Sequence, residues 1–165
     1  MGLVRQAKRL AHLLDQHQVR VVLAESCTAG LASATLARVP GISRWHCGSA
    51  VTYREATKAA WLDVSASDLQ QHSAVSQPVA EQMAVGVLAK TPEATISAAV
   101  TGHLGPDAPS ELDGMVYVAV AARVNDQIIL REVHRILLAK KSRRKRQKEA
   151  AAALLERLAD QVATR

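Results

Sequence analysis

Ser26 stands where a strand-like run stops. Val21-Val22-Leu23 leads into Ala24-Glu25-Ser26-Cys27-Thr28-Ala29-Gly30, after which Leu31, Ala34 and Leu36 resume with helical spacing. β-Branched residues giving way to small polar ones, then to a 3.6-residue period, read as a strand turning into a helix. A hydroxyl at that junction meets the free N–H groups of the helix start. One short segment can then supply both a nucleophile and a pocket for developing negative charge. A serine also needs a base. None of the six histidines (His12, His17, His46, His72, His103, His134) lies in a recognisable hydrolase context. Ala24 and Thr28 replace the glycines of a Gly-x-Ser-x-Gly elbow, and Ala29 replaces the lysine of Ser-x-x-Lys.

Tyr53-Arg54-Glu55-Ala56-Thr57-Lys58 offers a different base. Lysine serves as one only when burial or a nearby cation lowers its pKa. If a strand ends near Tyr53 and a helix follows, Tyr53 and Lys58 face the same end of the sheet as Ser26. A Ser–Lys pair with Tyr53 relaying or orienting suits amide hydrolysis without a metal; the same spacing also fits two ordinary surface residues. Val100-Thr101-Gly102, followed by Gly105-Pro106, likewise fits either amides placed beside a ligand or a turn that merely needs glycine. Cys27 has no neighbouring histidine to activate it and reads as a buried or amide-donating residue. His46-Cys47 lacks a second ligand pair, so no metal site is expected. His103 in the Thr-Gly loop fits either a ligand contact or, more ordinarily, an exposed loop residue, and Trp45 and Trp61 read as packing residues.

These groups must be positioned by the rest of the chain. Val4, Ala7, Leu10, Ala11 and Leu14 share a helical face over about residues 2–17. A strand over Arg20–Glu25 and a helix over Thr28–Arg38 follow, ended by Pro40-Gly41. Gly48–Tyr53 reads as a strand and Glu55–Leu62 as a short helix; another begins at Ser67. Ser76-Gln77-Pro78 opens a helix to about Lys90, with Glu81 placed for its dipole. Ala94–Thr101 is β-like, and His103–Gly114 is a Gly/Pro/Asp-rich loop. Met115–Arg123 and Gln127–Arg135 form a hairpin through Asn125-Asp126. Ser142–Ala163 is a helix with Ala151, Leu154, Leu155 and Leu158 inward. The expectation is one layered α/β/α domain over residues 1–165, with a mixed sheet and no internal repeat.

Composition bounds the function. A chain of 165 residues, 48% hydrophobic and 22% charged, has the makeup of an ordinary globular domain. It has no Phe, two Trp and two Tyr, so it lacks the stacking platforms of a single-strand nucleic-acid binder. The net charge of +6 is local: Lys140–Lys148 alone holds seven Lys or Arg and no acid. Such a run reads as a solvated face, with a phosphate-contacting stretch the sharper alternative and a nucleic-acid patch the third. Two cysteines without ladder spacing, a charged N-terminus and no membrane-length apolar stretch imply a cytoplasmic protein with reduced thiols and no membrane partner.

Taken together, these segments resemble one family. Ala24 to Gly30 is similar to the signature AESCTGG. Val39-Pro40-Gly41-Ile42-Ser43 with Gly48 to Lys58 resembles the next block. Ser73-Ala74-Val75-Ser76 and Ala80 to Gly86 are similar to GAVS…A..MA.G, and Thr101-Gly102 with Gly105-Pro106 to TG.AGP. This is the C-terminal domain family of the competence-damage protein CinA. The resemblance implies hydrolysis of the carboxamide of nicotinamide mononucleotide, a pyridine nucleotide, to the acid and ammonia, with no metal or other cofactor. It makes Ser26 the nucleophile, Lys58 the base and Tyr53 its partner in proton transfer. Cys27 and Thr28 would supply oxyanion amides, with Gly30 in the same substrate-binding segment. Thr101 and Gly102 would line the pocket, and Lys141 with Arg143 would hold the 5′-phosphate. A homo-oligomer is also implied.

The chain departs from the family pattern at Ala29 (usually Gly), at Ser49 (the second Gly of a pair), and in Gly105–Gly114, where a Gly-rich loop is replaced by GPDAPSELDG. The competing readings are a catalytically inactive or re-specialised relative serving as a nucleotide-binding or assembly module, and a nucleic-acid-associated protein using Lys140–Lys148.

Overall fold

A computed structural model describes residues 2–165. Six helices, α1 (Leu3–His17), α2 (Leu31–Leu36), α3 (Glu55–Leu62), α4 (Ala66–His72), α5 (Gln77–Ala89) and α6 (Arg143–Ala163), flank five strands. The strands are β1 (Val21–Glu25), β2 (His46–Val51), β3 (Ile96–Gly102), β4 (Met115–Val124) and β5 (Gln127–Leu137), in the order β2-β1-β3-β4-β5. β2, β1 and β3 run parallel, and β3, β4 and β5 antiparallel. The α/β class with a mixed sheet is as expected.

The pleat of the sheet sorts its side chains between two apolar layers. Leu23, Ala98, Val100, Val118 and Val120 meet α1, α2 and α6 on one face; Val22, Ala24, Ala99, Ala119 and Ala121 meet α3, α4 and α5 on the other. Ala is frequent where helix and sheet approach closely, which explains a core built without Phe. The inner face of α6 is as predicted: Ala151, Leu154, Leu155 and Leu158 are buried. On α1, Ala7, Leu10, Ala11 and Leu14 are inward but Val4 is exposed; Gln6 is buried in its place and donates to Glu156 at 2.9 Å. The hairpin turns through Asn125-Asp126, both at positive φ, the backbone that suits a right-twisted two-residue turn.

Two expected boundaries move beside the site, and one expected helix-dipole contact does not form. α2 begins at Leu31 instead of Thr28, because residues 26–30 form a turn with Ala29 at φ 51° and Gly30 at φ 90°. β2 is His46–Val51 instead of Gly48–Tyr53, so Thr52 and Tyr53 form the connection to α3. Glu81 lies beyond the first turn of α5 and accepts from Gln77 at 2.9 Å. Among the described residues no helix is long and apolar enough to cross a membrane.

Candidate active site

The three parallel strands end on the same side of the sheet, where loops leave the carboxyl ends and ligands commonly bind in such folds. Ser26 follows β1, and its N–H continues the ladder by donating to the Val100 carbonyl at 3.0 Å. Lys58 projects from α3 and is 1% exposed. Its Nζ lies 2.8 Å from Ser26 Oγ, 2.8 Å from the Thr52 carbonyl and 3.5 Å from the Tyr53 carbonyl. Burial pulls the Lys58 ammonium down to about 8, opposed in smaller measure by Cys27 and Glu55. As the ammonium, Lys58 donates to Ser26 Oγ and the two carbonyls; once that proton is lost, two N–H groups can keep the carbonyls while the lone pair turns to the Ser26 hydroxyl.

The adjacent turn is organised by Glu25, whose significance the sequence reading did not raise. Its carboxylate is fully buried and accepts from Thr28 Oγ1 (2.7 Å), Ala32 N (3.1 Å), Ser33 N (2.9 Å) and Ser49 Oγ (3.1 Å). The signal available was an acid closing an apolar strand just before a helix start. With Thr28 and the first helical amides held by Glu25, α2 can begin only after Gly30. Ala29 therefore takes a left-handed conformation that a side chain disfavours, at the position where the resemblance drawn from the sequence expects Gly. No acceptor other than the cysteine's own sulfur faces the N–H of Cys27 among the described residues, and none faces that of Thr28. Burial pushes the Cys27 thiol up to about 12, which leaves it protonated and un-nucleophilic.

A cavity of about 480 Å³ opens over Ser26. Ser26, Cys27, Tyr53, Lys58, Thr101, Gly102 and Arg143 all line it, so seven of the residues singled out in the sequence converge. Thr28, Gly30 and Lys141 do not line it. The Thr28 hydroxyl is spent on Glu25, Gly30 precedes α2 against Val51, and Lys141 lies in a separate depression beside Asp113 and Arg135. Tyr53 meets Lys58 only through its carbonyl; its phenol oxygen accepts from Arg143 Nη2 at 2.8 Å. Thr101 donates to the Ala74 carbonyl at 2.7 Å. Gly102 is required by close approach, since a Cβ there would stand 2.9 Å from the Met115 carbonyl oxygen and overlap Val116. His103, more ordinarily an exposed loop residue, is half-buried and lines the cavity.

The far wall is the loop Gly105–Ala108, and two arginines of the basic run fasten its base. Arg143 donates to the Gly105 carbonyl at 2.7 Å. Arg146 is buried, with both terminal nitrogens on Asp113 at 2.6 and 2.8 Å, and it also reaches the carbonyls of Leu104 (3.2 Å) and Lys140 (2.8 Å). The Arg146 guanidinium holds the Asp113 carboxyl below its ordinary value. The run is therefore only partly a solvated face. Arg146 gave no sign of this in the sequence, because its partners are brought to it by the return of β4. His46, in turn, pairs with Ser33 Oγ at 2.7 Å.

The sequence profile of the CinA C-terminal domain matches residues 4–162. The chain is 36% identical over 131 residues to a CinA-like protein of Chlorobaculum tepidum, covering 78% of this chain and 31% of that protein. It is 40% identical over 111 residues to a CinA-like protein of Acaryochloris marina, covering 66% and 26% respectively. It thus spans under a third of the length of these curated relatives. Among solved structures, the competence damage-inducible protein A of Klebsiella pneumoniae superposes with a TM-score of 0.89 at 28% identity, covering 99% of this chain and 98% of that one. The competence/damage inducible protein CihA of Agrobacterium tumefaciens gives a TM-score of 0.87 at 29% identity, covering 98% and 95%.

Proposed function

The chain belongs to the CinA C-terminal domain family, and from that premise we propose that it is an amidohydrolase converting nicotinamide mononucleotide and water to nicotinic acid mononucleotide and ammonia. The observation that carries this reading is the buried 2.8 Å contact between Lys58 Nζ and Ser26 Oγ. Lys58, as the neutral amine, takes the Ser26 proton while Ser26 Oγ bonds to the carboxamide carbon. The oxygen of the tetrahedral adduct gathers negative charge beside the N–H of Cys27, the residue of the turn that lines the cavity next to Ser26. Lys58 returns the proton to the departing nitrogen, the C–N bond breaks, and ammonia leaves an ester on Ser26. A water molecule, deprotonated by Lys58, then adds to that ester, and the acid leaves as Ser26 regains its proton. Tyr53 holds Lys58 through its carbonyl and, with Arg143, forms a polar wall suited to the nucleotide's ribose and phosphate.

The test is ammonia release by the purified chain across pyridine-nucleotide amides, with and without chelator. Release from nicotinamide mononucleotide in both conditions is expected; loss on chelation with rescue by zinc would point to a metal enzyme. One observation favours a second reading, a re-specialised nucleotide-binding relative: Pro106, Asp107 and Ala108 line the cavity where the family loop is Gly-rich. Nucleotide binding without ammonia release would select it.

A further inference from the structure

We propose that Glu25 is the positioning residue that locks the nucleophile and the lysine-bearing connection into register, an inference that rests on the Ser26–Lys58 reading. Two segments must meet for the pair to form. One is the turn 26–30, which carries Ser26 and the free amides of Cys27 and Thr28. The other is the connection that leaves β2, whose Thr52 and Tyr53 carbonyls aim Lys58. Glu25 is bonded to both. Its side chain takes Thr28 Oγ1 and the amides of Ala32 and Ser33 on one side and Ser49 Oγ on β2 on the other, and its carbonyl accepts from Thr52 N at 2.9 Å.

The carboxylate has no cationic partner among these contacts; four neutral donors satisfy it, two on each oxygen. A buried carboxylate kept only by oriented dipoles is retained at a desolvation cost that an apolar turn would avoid. Charge is needed because all four partners donate. A glutamine of the same shape would turn an N–H₂ group toward two of them whichever way its amide is flipped. Of those two, the hydroxyl can turn to accept, but the backbone N–H of Ala32 or Ser33 cannot and would lose its acceptor; the turn would relax from the left-handed Ala29–Gly30 path, and Ser26 and the amides would move off Lys58. Glu25 touches neither Ser26 Oγ nor Lys58 Nζ, so its effect passes wholly through placement.

Glu25→Gln separates these roles. Ser26 reactivity is read without any assumed substrate from the rate at which a fluorophosphonate probe labels it, followed by intact mass, alongside kcat and KM for ammonia release. Both the labelling rate and kcat are expected to fall about tenfold or more, with KM changed by less than about threefold and the pH midpoint of labelling unmoved. Thr28→Val, which removes one of the four bonds, is expected to lose less, and Thr28→Ser to recover most of that loss; this pair decides the matter if Glu25→Gln does not fold. Wild-type labelling and kcat in folded Glu25→Gln, or equal behaviour of the two Thr28 variants, would overturn the proposal. Labelling of wild type without ammonia release would overturn the amidase reading alone, with the Glu25 variants still judged by labelling. Neither labelling nor release in wild type would overturn both.

Discussion

The two walls of the cavity are held by opposite means. On the nucleophile side every link is short and interior: a buried carboxylate gathers neutral donors, and a buried lysine spans about one hydrogen bond to its serine. On the loop side, two long cations reach out from the start of α6 to carbonyls and to Asp113. The first arrangement leaves little freedom where, in the proposed reaction, atoms must react. The second grips the base of the loop Gly105–Ala108 and leaves its tip exposed, so its sequence can change while its attachment stays. The loop can therefore vary in sequence without disturbing the contact between Ser26 and Lys58. Damage to the first wall should appear in kcat, and damage to the second in KM and stability.

The largest effect is expected from Lys58→Met, which keeps the buried volume but removes the base: kcat for ammonia release should drop about 10³-fold or more, with near-UV circular dichroism unchanged. In the native chain kcat/KM should rise with pH through about 8, as the Lys58 amine loses its proton. The same group links stability to pH. Between about 8 and the ordinary 10.5 the unfolded chain holds a proton that the folded chain has released, so stability rises with pH across that window and is flat below it. Denaturant titrations at successive pH values check the sign, and Lys58→Met should abolish the slope.

Arg143→Gln comes next. Removing one charge-assisted contact should raise KM for the nucleotide about 10- to 100-fold while leaving kcat within a few-fold, and the corresponding nucleoside, lacking phosphate, should show no such change. Arg146→Met strips Asp113 and two carbonyls of their donor. The melting temperature should fall by several degrees and KM rise, with kcat retained. In native protein the Asp113 contribution is complete above its ordinary carboxylate value and is lost as pH falls below it. The smallest effect is Ala29→Gly, which should stabilise the chain by about 0.5–1 kcal/mol by relieving the left-handed alanine, read as a shift in denaturation midpoint. A large loss of kcat in Arg146→Met, or of stability alone in Lys58→Met, would break the division between the walls.

Much of this was legible in the sequence because it is local. The hairpin follows from Asn125-Asp126, the inner face of α6 from its leucine spacing, and the strand–turn–helix around Ser26 from one abrupt change of residue type. Residue spacing left Lys58 open between a surface residue and a base, because burial of a lysine is decided by the β2–α3 connection folding over it. Glu25 and Arg146 were missed for the same reason. Their partners lie far along the chain or on backbone atoms, which carry no mark in a sequence. Lys141 and Arg143 show the limit most simply, for two cations separated by one residue diverge once a helix begins between them.

The most direct measurement is ammonia release from nicotinamide mononucleotide by wild type and Ser26→Ala side by side, under identical conditions. Steady release by the wild type and none above background by the folded variant is the expected result. Equal release by both would remove Ser26 from the chemistry, and no release by either would remove the amidase reading itself.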